Sequence, residues 1–181
     1  MSLPEIVTDY GSFTPPANIA ADVRLILRHV PPRYLAGLHH VRLAVTADFN
    51  RERRRQKTRR RGRIFAINSA AGLYHAAWRG QPASIELFVD NTFAGAPAWV
   101  LRIPPLRRTL LSATLYHELG HHIHSTVAPK HAEREDVADQ WSIRLSRRFL
   151  FHRYWYLLPL IYPAVLIARL AGARSRPPAA A

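Results

Sequence analysis

An α+β fold in one domain is what the sequence predicts, with a short twisted β-sheet in the first half and two long helices in the second. A run with the two-residue alternation of a strand occurs at 38–46, and apolar runs rich in β-forming residues occur at 72–78 and 84–90. Helical periodicity extends through 106–127 and 131–152. The length of 181 residues suits a single domain, and apolar residues make up 48% of the chain, which is enough for a core.

The apolar residues of the N-terminal segment recur with neither helical nor strand spacing. Residues 1–16 contain three prolines, and we expect them to form a loose arm. No basic region precedes an apolar run here, so we expect no secretory signal and a cytoplasmic location. Apolar residues at helical spacing then predict a first helix at 17–30, which Pro31 and Pro32 end.

Three β-type runs follow this helix. Val41, Leu43 and Val45 alternate within 38–46, as in a strand with one buried face. The runs 72–78 and 84–90 are separated by five residues, which predicts a hairpin. Either of its two strands could form the edge of the sheet.

The net charge of +14 is concentrated in two segments, because the chain has 26 Lys and Arg against 12 Asp and Glu. The first begins at Arg51 and ends at Arg63 and holds nine basic residues and one acid. We expect this segment to be a solvated insert, either a loop or a helical protrusion, after which 64–67 could resume a strand. Residues 141–181 carry the second group, seven arginines and no acid.

Cysteine is absent. Its absence excludes disulfide-linked partners, cysteine nucleophiles and thiolate metal sites. Any metal ion must therefore be held by His, Asp or Glu.

The C-terminal segment 153–181 combines apolar and basic residues. Its central stretch, 154–168, has 15 residues without formal charge and includes two prolines. A spanning helix needs about 20 apolar residues, so we expect a core-packing or interfacial helix. Peripheral attachment to a membrane through 153–176 would agree with the flanking arginines.

The motif that carries chemistry is His117-Glu118-Leu119-Gly120-His121, on the predicted helix 106–127. Histidines four residues apart lie on one helical face, so both imidazoles can reach a single zinc ion, and Glu118 projects toward a metal-bound water. In a chain of this composition the pattern is expected about 0.02 times by chance.

A catalytic zinc usually has a third protein ligand. The helix that follows Pro129 offers four acids near its start, namely Glu133, Glu135, Asp136 and Asp139. If the two helices form an antiparallel pair, the first turn of the second one returns to the histidine face. Glu135 is our choice among the four.

The segment Glu135-Asp136-Val137-Ala138-Asp139, read as Glu-x-x-Ala-Asp, resembles the third-ligand motif of gluzincin metallopeptidases, particularly the HtpX/CAAX prenyl-protease group. It is also similar to the Glu-x-x-Ala-Asn motif of the ImmA/IrrE group, in which an aromatic and a small residue follow, as Trp141 and Ser142 do here. The resemblance covers 106–142, and the element order of 17–90 is similar to a small zincin domain. The short gap between His121 and Glu135 and the arginine-rich insert depart from both groups.

This resemblance implies a zincin-like catalytic domain at 17–152 that hydrolyses a protein or peptide substrate. It implies that His117, His121 and Glu135 bind Zn²⁺, that Glu118 is the general base and that Asp139 supports a ligand from behind. Metzincins are excluded, because the only methionine is Met1 and position 127, where their third histidine would stand, is valine.

Other residues near the motif are assigned by spacing and chemistry. We expect His122 and His124 to be non-ligands, since His124 lies about 10 Å along a straight helix from His117. A donor to the transition state is expected from His131, Tyr154 or Tyr156. The substrate would lie extended along an exposed strand.

A second class of function remains open. The basic segment 51–63 could bind phosphates of nucleic acid or an anionic membrane surface, and the zinc site would then be structural or vestigial. The segment has no aromatic residue for base stacking.

Overall fold

The computed structural model describes residues 3–60, 63–127 and 135–157. It confirms the predicted α+β class, with a small mixed sheet of four strands and two long helices. The strands are β1 (Glu5–Asp9), β2 (Leu38–Ala44), β3 (Lys57–Arg60), β4 (Arg63–Ala66), β5 (Gly72–His75) and β6 (Ala83–Phe88). The helices are α1 (Ile19–Leu27), α2 (Arg51–Arg55), α3 (Val89–Thr92), α4 (Ala98–Arg102), α5 (Pro104–Val127) and α6 (Glu135–Tyr154).

The main sheet has the strand order β1-β2-β6-β5, so β5 forms one edge. β1, β2 and β6 are parallel, and β5 runs antiparallel to β6 from the pair Gly72 and Leu87 to the pair His75 and Ser84. The predicted hairpin is therefore confirmed. Its connection is longer than the predicted five residues because β5 ends at His75, and within the connection Trp78 and Gln81 pair as an isolated bridge around a tight turn.

The N-terminal segment is not wholly the loose arm that we predicted for 1–16. Glu5–Asp9 forms β1, and Ile6 lies opposite Val41 of β2. β1 is an edge strand that is mostly exposed, so it lacks a buried face whose alternation would reveal it.

The basic segment contains the short helix α2 and then the strand β3, which the prediction of a loop or helical protrusion did not include. β3 pairs antiparallel with β4 in a separate two-stranded sheet. Asn50 caps α2 by accepting a hydrogen bond from the Arg53 N–H at 2.8 Å. The Arg53 guanidinium turns inward, lies over the Phe49 ring and donates to the Glu86 carboxylate.

α5 lies across the sheet and supplies much of the core. Leu111, Leu115, Leu119 and Ile123 recur every four residues and are buried against α1, β2, β6 and α6. Arg107 and Arg108 anchor α5 to α1, because their Nε atoms donate to the two carboxylate oxygens of buried Asp22 at 2.7 and 2.6 Å.

α5 and α6 are antiparallel, as predicted. Three contacts fix their register: His117 with Asp139 at 2.9 Å, the Ser142 hydroxyl with the Ala113 carbonyl at 3.1 Å, and Arg108 with the Tyr154 hydroxyl at 3.3 Å. The start of α6 therefore lies beside the histidines of α5.

Two predictions extend past the described residues. The start of the second helix at 131–134 and the uncharged segment after Leu157 lie outside them. Along the described stretches, no helix combines the length and the apolar composition that crossing a bilayer requires.

Candidate metal centre

Two helices bring together the three predicted ligands. His117 and His121 lie one turn apart on α5, and Glu135 is the first residue of α6. The Nε2 atoms of the two histidines are 3.2 Å apart. Glu135 places one carboxylate oxygen 3.4 Å from His117 Nε2 and the other 3.8 Å from His121 Nε2.

These separations are close to those of a tetrahedral metal site. When ligand bonds are about 2.0–2.2 Å long, tetrahedral ligand atoms lie about 3.3–3.6 Å from one another. One ligand atom from each of His117, His121 and Glu135 can be chosen so that all three lie within 4.8 Å of one another. Two imidazole nitrogens and one carboxylate oxygen form a donor set that zinc accepts, and a fourth position would remain for water.

Asp139 contacts His117 on the side of the imidazole ring that faces away from the other two predicted ligands. Its Oδ1 lies 2.9 Å from His117 Nδ1, which donates this hydrogen bond. The tautomer with hydrogen on Nδ1 leaves the lone pair of Nε2 directed toward His121 and Glu135. This is the supporting position that the resemblance implied for Asp139.

Gly120 explains how α6 comes so close. A Cβ at this position would lie 2.7 Å from the carbonyl oxygen and 2.8 Å from the Cα of Ala138. Both of these are backbone atoms, so the neighbouring helix would have to move. The sequence analysis did not identify this role, although the small residues Gly120 and Ala138 on facing helices are a signal for close packing.

The edge strand β5 borders the site through Gly72. A Cβ at Gly72 would lie 2.7 Å from Cγ of Glu118, so the absence of a side chain leaves room for the buried glutamate. This contact was also missed from the sequence. It identifies β5 as the strand beside Glu118, and β5 is the edge strand of the hairpin.

His122 does not face the ligand group. Its Nε2 donates to the Ala36 carbonyl at 3.0 Å, and its Nδ1 faces the Tyr74 hydroxyl at 3.3 Å. Burial lowers the pKa of His122, and the hydrogen bond to Ala36 only partly opposes this, so the ring is neutral at pH 7. His124 is not among the three grouped ligands.

The two tyrosines predicted as donors to the transition state lie far from the ligand group. Tyr154 and Tyr156 lie at the far end of α6, and 15 residues of helix separate Tyr154 from Asp139 by about 22 Å. The Tyr154 hydroxyl instead lies 3.3 Å from Arg108. His131, the third candidate, and Glu133, an alternative ligand, lie outside the described residues.

The opposite face of the sheet carries a separate charged cluster around Glu86. Arg42 binds both Asp9 and Glu86, while Arg53 and His75 bind the other oxygen of Glu86. Burial raises the pKa of Glu86, but hydrogen bonds from His75 and Arg53 outweigh it and lower the pKa from 4.5 to about 2. Glu86 is therefore charged at neutral pH.

No protein-family model, curated protein or solved structure matches this chain. The function is therefore inferred from the geometry and chemistry of the site.

Proposed function

We propose that this chain is a zinc-dependent metallopeptidase with a small zincin-like domain. One observation carries the proposal: His117, His121 and Glu135 converge from two helices with separations of 3.2 to 3.8 Å, and Glu118 follows the first ligand directly. Zinc would be held by these three residues, and Glu118 would be the general base.

Bound zinc would supply Lewis acidity toward a peptide carbonyl and would lower the pKa of a coordinated water toward about 7. Glu118 would accept the proton of that water and pass it to the leaving amine. Asp139 would keep the His117 ring in the orientation that ligation needs, because its carboxylate accepts the Nδ1 proton.

The substrate would lie along β5. An edge strand offers backbone N–H and C=O groups that can pair with an extended peptide. Gly72 brings this strand against Glu118, so a peptide paired with β5 would lie beside the proposed base. The proposed substrate is therefore a protein or peptide segment in extended conformation.

The test separates metal binding from catalysis. Glu118→Gln keeps the side-chain volume and removes the base, so zinc content, measured by elemental analysis, should equal that of the parent. Cleavage of a peptide library should fall by about 100-fold or more. Glu135→Gln should lower the zinc content, and His124→Ala, on the same helix but outside the ligand group, should retain both zinc and cleavage.

Two results would contradict the proposal. Cleavage that persists in Glu118→Gln would assign the activity to another group or to a contaminant. If Glu135→Gln retained zinc in full, the assignment of Glu135 as the third zinc ligand would be wrong. Phenanthroline should inhibit peptide cleavage by the parent, and added zinc should restore it.

A further inference from the structure

Large apolar side chains are exposed at one end of the α5–α6 pair. Those of the described residues that lie there are Trp99, Ile103, Leu106, Phe151, Trp155 and Tyr156. We call this set the aromatic end. Phe151 is 67% exposed and Trp155 is 65% exposed, which is unusual for side chains of this size.

Three elements meet at this end because the helices are antiparallel. The Arg108 guanidinium at the start of α5 reaches the Tyr154 hydroxyl at the end of α6. Arg107 donates to the Leu101 carbonyl at 2.6 Å and holds α4 against α5. The set is thus fixed by tertiary contacts, although its members are far apart in sequence.

The surroundings of the aromatic end are basic. Neither 91–117 nor 140–157 contains an acid, while Arg102, Arg147, Arg148 and Arg153 are exposed there. Asp22 is the acid bound to this region, and it is buried against two arginines. On these two segments, an anionic partner would therefore meet exposed arginines and no carboxylate.

We propose that the aromatic end docks onto an anionic lipid bilayer. Trp and Tyr favour the headgroup level, where the ring is apolar and the N–H or O–H remains hydrated, and arginines beside them attract anionic headgroups. The sequence continues from Leu157 with 11 uncharged residues, 158–168, and then Arg169, which suits a lipid surface better than an acidic protein. This inference does not depend on the peptidase proposal.

The experiment is flotation of the full chain with vesicles. Phosphatidylcholine vesicles are compared with vesicles that also contain about one third phosphatidylserine. The parent should float with the anionic vesicles only, and added salt should weaken binding. The double variant Phe151→Ala/Trp155→Ala should lose about 10-fold or more in partitioning, and Arg147→Gln/Arg148→Gln should lose a similar factor.

Trp78→Ala is the matched control. Trp78 is 69% exposed and lies beside Arg79, as a tryptophan at the aromatic end lies beside arginines, but it belongs to the β5–β6 connection at the other end of α5. It should bind vesicles like the parent. Melting temperatures of all variants check that the fold is retained.

Several results would overturn the proposal. If the parent bound no vesicles, or bound neutral and anionic vesicles equally, the proposed docking onto an anionic bilayer would be wrong. If both double variants bound like the parent, the aromatic end would not be the contact. Self-association that the Phe151→Ala/Trp155→Ala variant abolishes, without vesicle binding by the parent, would identify a second copy as the occupant.

Discussion

His117 uses its two ring nitrogens for different tasks. Nε2 faces His121 and Glu135, whereas Nδ1 donates to Asp139 at 2.9 Å. An imidazole that is fixed in one tautomer binds a metal without first reorienting, so the carboxylate behind it contributes to affinity although it is not itself a ligand.

Replacing Asp139 tests this arrangement at the level of one residue. Asp139→Asn keeps the size of the side chain but removes the charge that favours the Nδ1–H tautomer of His117. We expect zinc affinity to fall by about 10- to 100-fold, measured by competition with a chromophoric chelator. Asp136→Asn, an exposed residue in the same turn, is the control and should retain the parent affinity. An equal loss in both variants would mean that overall charge, and not the contact with His117, sets the affinity.

The residues of the site differ in how far the sequence reveals them. The histidine spacing and the acids after Pro129 are local patterns, so the three grouped side chains were predictable. Gly72 was not, because its role is to leave space for Glu118, which lies 46 positions later in the chain. A glycine with an ordinary backbone conformation gives no sequence signal for such a contact.

At the scale of elements, α5 and α6 were predictable because each has a buried face at helical spacing, and the β5–β6 hairpin because two apolar β-type runs flank a short turn segment. β1 lacks such a face. The inward turn of Arg53 was also missed, because a run of like charges predicts solvation for all its members. Glu86, the only acid in the apolar strand β6, was the available signal, since a buried carboxylate needs cationic partners. Binding of nucleic acid by the basic segment remains a prediction.

The close approach of α5 and α6 leads to a prediction for Gly120→Ala. Alanine favours the helix by about 1 kcal/mol over glycine, but overpacking against a neighbouring backbone costs about 1–3 kcal/mol. Because the added Cβ would lie 2.7 Å from the Ala138 carbonyl oxygen, we expect the steric cost to win and the free energy of unfolding to fall. Zinc affinity should fall as well, since Glu135 moves with α6.

Urea unfolding with and without zinc measures both effects of Gly120→Ala. The loss of stability should persist in the metal-free protein, because it arises from helix packing. If the variant were as stable as the parent and its zinc affinity were unchanged, α5 and α6 would accommodate the added Cβ without loss of stability, and the prediction would be wrong.

On the scale of the whole molecule, the sheet separates two polar sites. The ligand group lies on the α5 side, and the Glu86 cluster lies on the other face with Arg42, Arg53 and His75. A substitution in the Glu86 cluster should therefore alter the free energy of unfolding without changing the contacts among the proposed metal ligands.

The pH dependence of stability tests the Glu86 cluster. The folded-state pKa of Glu86 is about 2, below its ordinary value of 4.5, so its contribution is present above pH 4.5 and is lost as the pH falls toward 2. The parent should exceed Glu86→Gln by about 1–3 kcal/mol in unfolding free energy near neutral pH. This difference, measured by urea unfolding, should narrow through that acidic window. Glu52→Gln, exposed on α2, controls for removal of an acid; a constant difference for Glu86→Gln would refute the assignment.

Removal of the metal should lower the stability of the whole domain, because the proposed ligands clamp α5 to α6. A ligand that binds only the folded state stabilises it by about 2.7 kcal/mol at 100 times its dissociation constant. In a chain of this size that corresponds to a decrease in Tm of about 5–10 °C on chelation. Differential scanning calorimetry with and without EDTA measures the shift, and added zinc should reverse it. Glu135→Gln should melt near the chelated parent and respond little to EDTA, whereas Glu118→Gln should shift as the parent does. If EDTA left the parent Tm unchanged although zinc had been removed, the metal would not link the two helices and the proposed ligand set would be wrong.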